Sequence, residues 1–324
     1  MSEGPTRRLL VVGATGNIGT ELVREALKAS SPFTHVRALA RDTSKISHLG
    51  SSEGSSNRLE LVDCNAYDVD GLDAACKDVD SIVCAYRGVP NLALDAQLLL
   101  MRVAERRGVK QMILASWNYD VTKIKLGDHE PYDAYVSILA QTEFIPNLKV
   151  LFVVSGVFFD VLWWFGIWKA EKGHFETFGT GDEVWKLTSR EDAARFSIEA
   201  LRDRNRSGIV HIASEQLSLN DISKLVAEVR EGSADKAKPV KSLGSADDCH
   251  VEFVRTREEL GKPRYLEYAW LGYVYYTITG KWDFEATDNA PLLEGAASPW
   301  QLSKLKDYII ENPDAIDHPP EKVQ

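Results

Sequence analysis

The stretch Val11-Val12-Gly13-Ala14-Thr15-Gly16-Asn17-Ile18-Gly19, VVGATGNIG, sets three glycines at three-residue spacing where an apolar run gives way to a helical pattern. Upstream, Leu9–Val12 reads as a buried strand. Downstream, Ile18, Leu22, Val23, Ala26 and Leu27 recur on one face of a helix over Asn17–Ala29. Glycine at such a junction permits a tight turn and lets the backbone approach a pyrophosphate closely. The first helical turn then offers unpaired N–H groups and a positive dipole end to the anion. Gly13, Thr15, Gly16, Asn17, Ile18 and Gly19 are therefore the expected cradle of a dinucleotide, in the spacing G-x-x-G-x-x-G.

Outward from this turn, strand and helix patterns alternate. Strands are expected over Val36–Ala40, Leu59–Val62, Ser81–Ala85, Met112–Ala115 and Leu148–Val154, with helices over Asp70–Cys76 and Ala93–Arg107, the latter ended by Gly108. The alternation predicts an α/β fold, a doubly wound parallel sheet of the Rossmann type. Beyond it come aromatic clusters, a helix over Glu191–Leu201, a strand over Ile209–Ile212 and a capped helix from Asn220. The stretch from Glu231 to Asp248 reads as a surface loop. We expect a cofactor domain over 1–155 and a smaller C-terminal substrate-binding lobe over 156–324, interleaved with it rather than joined by a linker.

A chain of 324 residues with 44% hydrophobic and 27% charged residues fits a soluble globular protein. Its net charge of −10 disfavours a broad nucleic-acid or anionic-membrane surface. Cys64, Cys76, Cys84 and Cys249 form no CxxC and no metal spacing, so reduced thiols, no metal and a cytoplasmic setting are expected. Gly13 interrupts the N-terminal apolar run too early for a secretory signal, and no prenylation box closes the chain at Glu321–Gln324. Leu151–Trp168 approaches the length of a membrane span, but Asp160, Gly156 and Gly166 divide it. Its first half reads as a strand and its second as the start of a packed helix, with Trp164 and Trp168 four apart on one face. No membrane partner is expected.

The cofactor type depends on the end of the second strand, where an acid would bond the ribose 2′-OH of NAD and a cation would suit the 2′-phosphate of NADP. Arg41 closes that strand with a planar fork matched to phosphate, and Lys45 adds a second charge. The competing reading has Arg41 pairing with Asp42, or Asp42 taking the ribose. Asp63, ending the third strand, is placed to accept from the adenine amino group or to serve a turn. Ala85 and Tyr86, followed by Arg87 and Gly88, should pass beside the cofactor.

These elements resemble the atypical short-chain dehydrogenases of the NmrA-like and isoflavone-reductase-like group. The resemblance rests on GATGNIG, on VRALARD (Val36–Asp42), on Asp63 and on QLLLMRVAERRGVKQMILASWNYD (Gln97–Asp120). It continues through SREDAARF (Ser189–Phe196) and VHIASEQLSLNDISKLVAEV (Val210–Val229), spanning roughly residues 7 to 310. It implies NADP(H), a cleft between two lobes, and often reduction of a small, apolar or aromatic molecule. A monomer or homodimer that acts on a specialised metabolite is expected. The same family also holds cofactor-binding regulators and enzymes of rearrangement or cyclisation, so an NADP-sensing regulator and a non-redox isomerase or cyclase stand beside the reductase.

Hydride delivery to a carbonyl builds charge on oxygen and calls for a proton donor. Short-chain dehydrogenases commonly use Tyr-x-x-x-Lys on one helical face, and Ser116 matches a family position beside the nicotinamide. Here the expected helix Pro131–Ile138 departs from that pattern: Val136 stands four after Tyr132, and Leu139 four after Tyr135. Tyr132 is thus a lone candidate donor. Tyr119 and Lys123 spell Y-x-x-x-K in a predicted loop, and His129 is either a general acid or a surface histidine. Phe158, Phe159, Trp163, Trp164, Phe165 and Trp168, with Trp117, are expected either to wall a flat apolar substrate or to form the core of the lobe.

Overall fold

In a computed structural model of the chain, residues 7–51, 57–87 and 89–318 are described. Gly88 and the Glu321–Gln324 tail, on which two of the expectations above bear, lie outside the described residues, as do residues 1–6 of the N-terminal run.

The chain begins as repeated strand–helix units: β1 (Arg8–Val12), α1 (Asn17–Leu27), β2 (His35–Ala40), β3 (Leu59–Asp63), α2 (Val69–Ala75), β4 (Ser81–Cys84), α3 (Gln97–Arg106), β5 (Gln111–Ile113), α4 (Glu130–Gln141) and β6 (Lys149–Val154). Four short strands follow, β7 (Val157–Phe158), β8 (Trp168–Lys169), β9 (His174–Thr177) and β10 (Val184–Thr188). Then come α5 (Arg190–Ala200), β11 (Gly208–His211), β12 (Glu215–Ser218), α6 (Leu219–Glu231) and β13 (Lys241–Ser242). Helices α7 (Ala246–Leu260), α8 (Ala269–Ile278), α9 (Asn289–Gly295), α10 (Leu305–Glu311) and α11 (Pro313–Asp317) complete the described chain.

Seven strands form one sheet in the order β11-β6-β5-β4-β1-β2-β3, every pairing parallel. Central strands of such a sheet are covered on both faces, which is why Leu9–Val12 and Ile82–Cys84 are apolar without alternation and fully buried. All seven strands end at the same edge, so the turns after β1, β2, β4, β5 and β6 gather there. β11 brings residues 208–211 back to this sheet after the excursion through β7–β10. Two smaller sheets, β12-β10-β7 and β13-β9-β8, carry the rest of the strands.

Three details differ from the sequence expectation. The segment after Asp160 is a 3-10 turn, Val161–Phe165, stopped by Gly166 at a left-handed φ of 68°. Trp168 lies on strand β8, so Trp164 and Trp168 do not share a helical face. The stretch from Glu231 to Asp248 is not one loop: β13 pairs with β9, and Ser245 with Asp248 forms a reciprocal capping box that starts α7. The helix expected from Ala93 opens with a π-helical segment over Asn91–Ala96 before α3.

The carboxylate of Asp192, fully buried on α5, joins the returning chain to the lobe. It accepts from Ser214 Oγ (2.6 Å), Trp300 Nε1 (3.0 Å) and the Ser303 N–H (2.8 Å). Three donors thus converge on one buried side chain, meeting the requirement that a buried polar group be hydrogen-bonded.

Candidate cofactor and substrate site

The β1–α1 turn is built so that no side chain fits. Gly13 has φ 77°, and a β-carbon on it would lie 2.5 Å from the Ala85 carbonyl oxygen; one on Gly19 would lie 2.2 Å from that of Gly13. Gly13 and Ala14 donate their N–H groups to the Leu39 carbonyl at 2.9 and 3.1 Å, tying the turn to β2. Gly16 at the start of α1 provides no side-chain cap. Among the described residues, the N–H groups of Asn17, Ile18 and Gly19 have no acceptor. Thr15 and Ile18 are partly exposed, and Gly16 and Asn17 exposed, beside these donors. A helix tip of this kind is an anion cradle.

At the end of β2, Arg41 is exposed and makes no hydrogen bond or ion pair among the described residues. Asp42 turns away, its Oδ1 accepting from Ser44 N (3.1 Å) and Ser44 Oγ (2.6 Å), bonds that hold its carboxyl below the ordinary value. Asp63 does the same for Thr43, accepting from its N–H (2.8 Å) and hydroxyl (2.7 Å) through Oδ1. The Ala85 carbonyl lies under Gly13. The Tyr86 hydroxyl is buried with no partner among the described residues, and burial pushes its pKa far up.

Past β5, the side chains engage one another. Ser116 Oγ donates to the Leu114 carbonyl (3.1 Å) and accepts from the Val153 N–H (2.8 Å), joining the ends of β5 and β6. Trp117 carries a strained φ of 26° and donates its indole N–H to Ser197 Oγ on α5 (3.1 Å). Asn118 is the hub that sequence reasoning missed. Its Oδ1 accepts from the Tyr132 hydroxyl and the Tyr119 N–H (3.0 Å), while its Nδ2 donates to the Tyr273 hydroxyl (2.8 Å). The Tyr132 oxygen also accepts from the Tyr119 N–H at 3.1 Å. Its pKa lies well above the ordinary tyrosine value because burial disfavours the phenolate.

Tyr119 and Lys123 are not brought together as a pair. The Tyr119 ring stacks on Trp282 (centroids 4.5 Å apart, planes 2° apart), and its hydroxyl accepts from the Lys186 N–H at 3.3 Å. Lys123 Nζ donates instead to the Asp283 carbonyl. His129 is a core residue rather than a loop residue: fully buried, bonded through Nε2 to the Ala269 carbonyl (3.0 Å), and pushed down to about 4 by burial.

Among the aromatic residues, Trp163, Trp168 and Phe159 are buried. Trp163 and Trp168 pack on Phe175, and the Trp168 indole donates to the Ile316 carbonyl (3.0 Å). Phe158, Trp164 and Phe165 are half-buried; the Arg190 guanidinium lies 4.4 Å over Phe158 and bonds Asp160.

A second pair escaped the sequence reading. His211 ends β11 with a side chain 25% exposed, and its Nε2 is 3.6 Å from Asp120 Oδ2. Burial raises the Asp120 carboxyl, but bonds from His211 and Thr122 outweigh it and hold it below the ordinary value. The available signal was a histidine closing a strand at the ligand edge of a parallel sheet. No group of three or more metal-ligating side chains occurs among the described residues, and none of their helices is long and apolar enough to cross a membrane. Cys64, Cys76, Cys84 and Cys249 are free and buried.

The profile of the NmrA-like family matches residues 5–238. A probable pinoresinol-lariciresinol reductase of Arabidopsis thaliana is 27% identical over 241 residues, 71% of this chain and 74% of the relative. An isoflavone reductase of Cicer arietinum is 24% identical over 222 residues, 63% and 69% of the two chains. The solved structure of AtPrR2 with NADP+ and (+)pinoresinol superposes with a TM-score of 0.73 at 20% identity, covering 95% of this chain and 99% of that one.

Proposed function

The chain belongs to the NmrA-like family, and from that premise we propose that it is an NADPH-dependent reductase of a flat apolar or aromatic small molecule. One observation carries the reading: three unanswered N–H groups at the tip of α1, behind a turn closed to side chains at Gly13 and Gly19. These groups would hold the pyrophosphate. Arg41 would meet the 2′-phosphate, since its guanidinium is free of partners among the described residues while Asp42 is held by Ser44. Bound there, NADPH supplies a hydride.

This chain's part is to orient the acceptor and deliver the proton. The half-buried Phe158, Trp164 and Phe165 offer apolar surface, and likeness to reductases of aromatic plant compounds supports an aromatic substrate. The hydroxyls of Tyr132 and Tyr119 are engaged inside the fold. His211, with solvent access and its Nε2 3.6 Å from Asp120 Oδ2, is the proton donor we assign. The test is loss of NADPH absorbance when purified protein meets quinones, enones or aromatic ketones, with NADH as control. No oxidation across such a panel defeats the reductase reading.

Among the described residues no lysine ammonium bonds either tyrosine hydroxyl, which favours a second reading, conversion without net redox on the same bound cofactor. Substrate turnover at constant NADPH would select it.

A further inference from the structure

At the edge where the strands begin, opposite the glycine turn, the adjacent strands β6, β5, β4 and β1 surround a cavity of about 230 Å³. Lys149, Lys110 with Gln111, Asp80 with Ser81, and Arg7 line it from the strand starts, and Arg204 lines it from the connection between α5 and β11. Four cations against one acid give this lining +3, on a chain whose net charge is −10.

Two buried donors in the wall lack acceptors. Arg7 Nε and Ser81 Oγ are buried without a partner among the described residues, and the two side chains belong to residues only 8% and 1% exposed. The rest of the Arg7 guanidinium is fixed, donating to the carbonyls of Leu201 (2.9 Å) and Arg202 (3.4 Å) and lying 4.8 Å over Phe33. Asp80, whose Oδ2 also accepts from the Arg8 N–H (2.8 Å), sets one acid against the four cations. Among the described residues Lys149 Nζ bonds only the neutral Asn205 (2.7 Å). Lys110 Nζ and the Arg204 guanidinium make no hydrogen bond or ion pair among the described residues. Clustered cations repel, and an anion in the cavity would relieve that repulsion.

A neighbouring cavity at the same edge shows the contrast. There Arg37 is bonded to Glu60 and the Ala75 carbonyl, and Arg58 to the carbonyls of Leu27 and Phe33.

We propose that the first cavity binds a small phosphate-type oxyanion, at a site distinct from the cofactor cradle on the opposite edge. A tetrahedral oxyanion carries enough acceptors to meet the Lys110 and Lys149 ammonium groups and the Arg204 guanidinium together. Its charge matches the lining better than a single carboxylate does. Bound there, it ties the starts of four strands to the connection that leads into β11 and His211.

The test is calorimetry and thermal melting of the full chain in inorganic phosphate and in glycerol 3-phosphate, against chloride at equal ionic strength. The variants are Lys110→Ala/Arg204→Ala, Lys110→Gln and Arg41→Ala. Lys110 and Arg204 are exposed, so their replacement leaves the ligand-free melting temperature unchanged. The expected result is one-site binding with a raised melting temperature. It is weakened at least tenfold in the double variant, several-fold in Lys110→Gln, and not at all in Arg41→Ala. Tighter binding of the phosphomonoester identifies a phosphorylated metabolite as the ligand, and tighter binding of inorganic phosphate identifies the free ion; either supports the site. Absence of binding, or binding kept at full strength in the double variant, overturns it.

Discussion

Gly272 on α8 makes room for the imidazole of His129: a β-carbon on that glycine would stand 2.2 Å from Cδ2 and 2.4 Å from Nε2. The ring cannot retreat, since it is fully buried, held by the Ala269 carbonyl and surrounded by Tyr132, Tyr273, Tyr276 and Trp282. Alanine would gain about 1 kcal/mol of helix propensity over glycine. Overpacking at a rigid site costs about 1–3 kcal/mol, with loss of the carbonyl bond added. Gly272→Ala is therefore expected to destabilise the chain, read as a lower urea midpoint at unchanged slope.

The same histidine makes the fold acid-sensitive. Burial lowers its pKa from the ordinary 6.5 to about 4, against the opposing bond to Ala269. Between those values the unfolded chain takes up a proton that the folded chain refuses. The stability contribution is therefore fully present above pH 6.5 and is lost as pH falls toward 4, with a loss on the order of 2 kcal/mol at pH 5. His129→Gln should be less stable at pH 7 yet lose less stability between pH 7 and pH 5, as measured by denaturation at both.

Arg41→Ala should weaken NADPH binding about 10- to 100-fold, the range expected for loss of a hydrogen bond to a charged group, and leave NADH binding unchanged. Titration of nucleotide fluorescence checks it. An equal loss for both nucleotides would remove the 2′-phosphate role.

Tyr132→Phe deletes a hydroxyl that joins Asn118 to the Tyr119 backbone, so a loss of about 1–2 kcal/mol of stability is expected with turnover largely kept. His211→Asn should do the reverse, lowering kcat about 100-fold with little change in KM or melting temperature. Lys123→Ala should leave kcat within about twofold, because a general acid–base role would be worth about 100-fold or more. Steady-state NADPH oxidation with a substrate found by the panel separates the three. A collapse of kcat in Tyr132→Phe at unchanged stability would return the donor role to the tyrosine.

Local signals carried the sheet and the helix tip. Unbroken apolar runs such as Leu9–Val12 mark strands covered on both faces, and the VVGATGNIG spacing marks a turn that excludes side chains; both are properties of a few consecutive residues. The aromatic segment was less legible, because Gly166 stops its 3-10 turn and Trp168 finds a strand partner, Phe175, that no helical periodicity reveals. Tyr119 and Lys123 had the right spacing and the wrong neighbours. Trp282 and Asp283 arrive from the far end of the chain and claim them one each. His211 and Asp120 meet only because β11 pairs beside β6. Sequence alone thus determined the α/β sheet and the anion-ready start of α1, because backbone conformation there depends on adjacent residues. Which side chains stay accessible at the strand ends was decided by tertiary packing, because burial and hydrogen-bond partners are set by segments far apart in the chain.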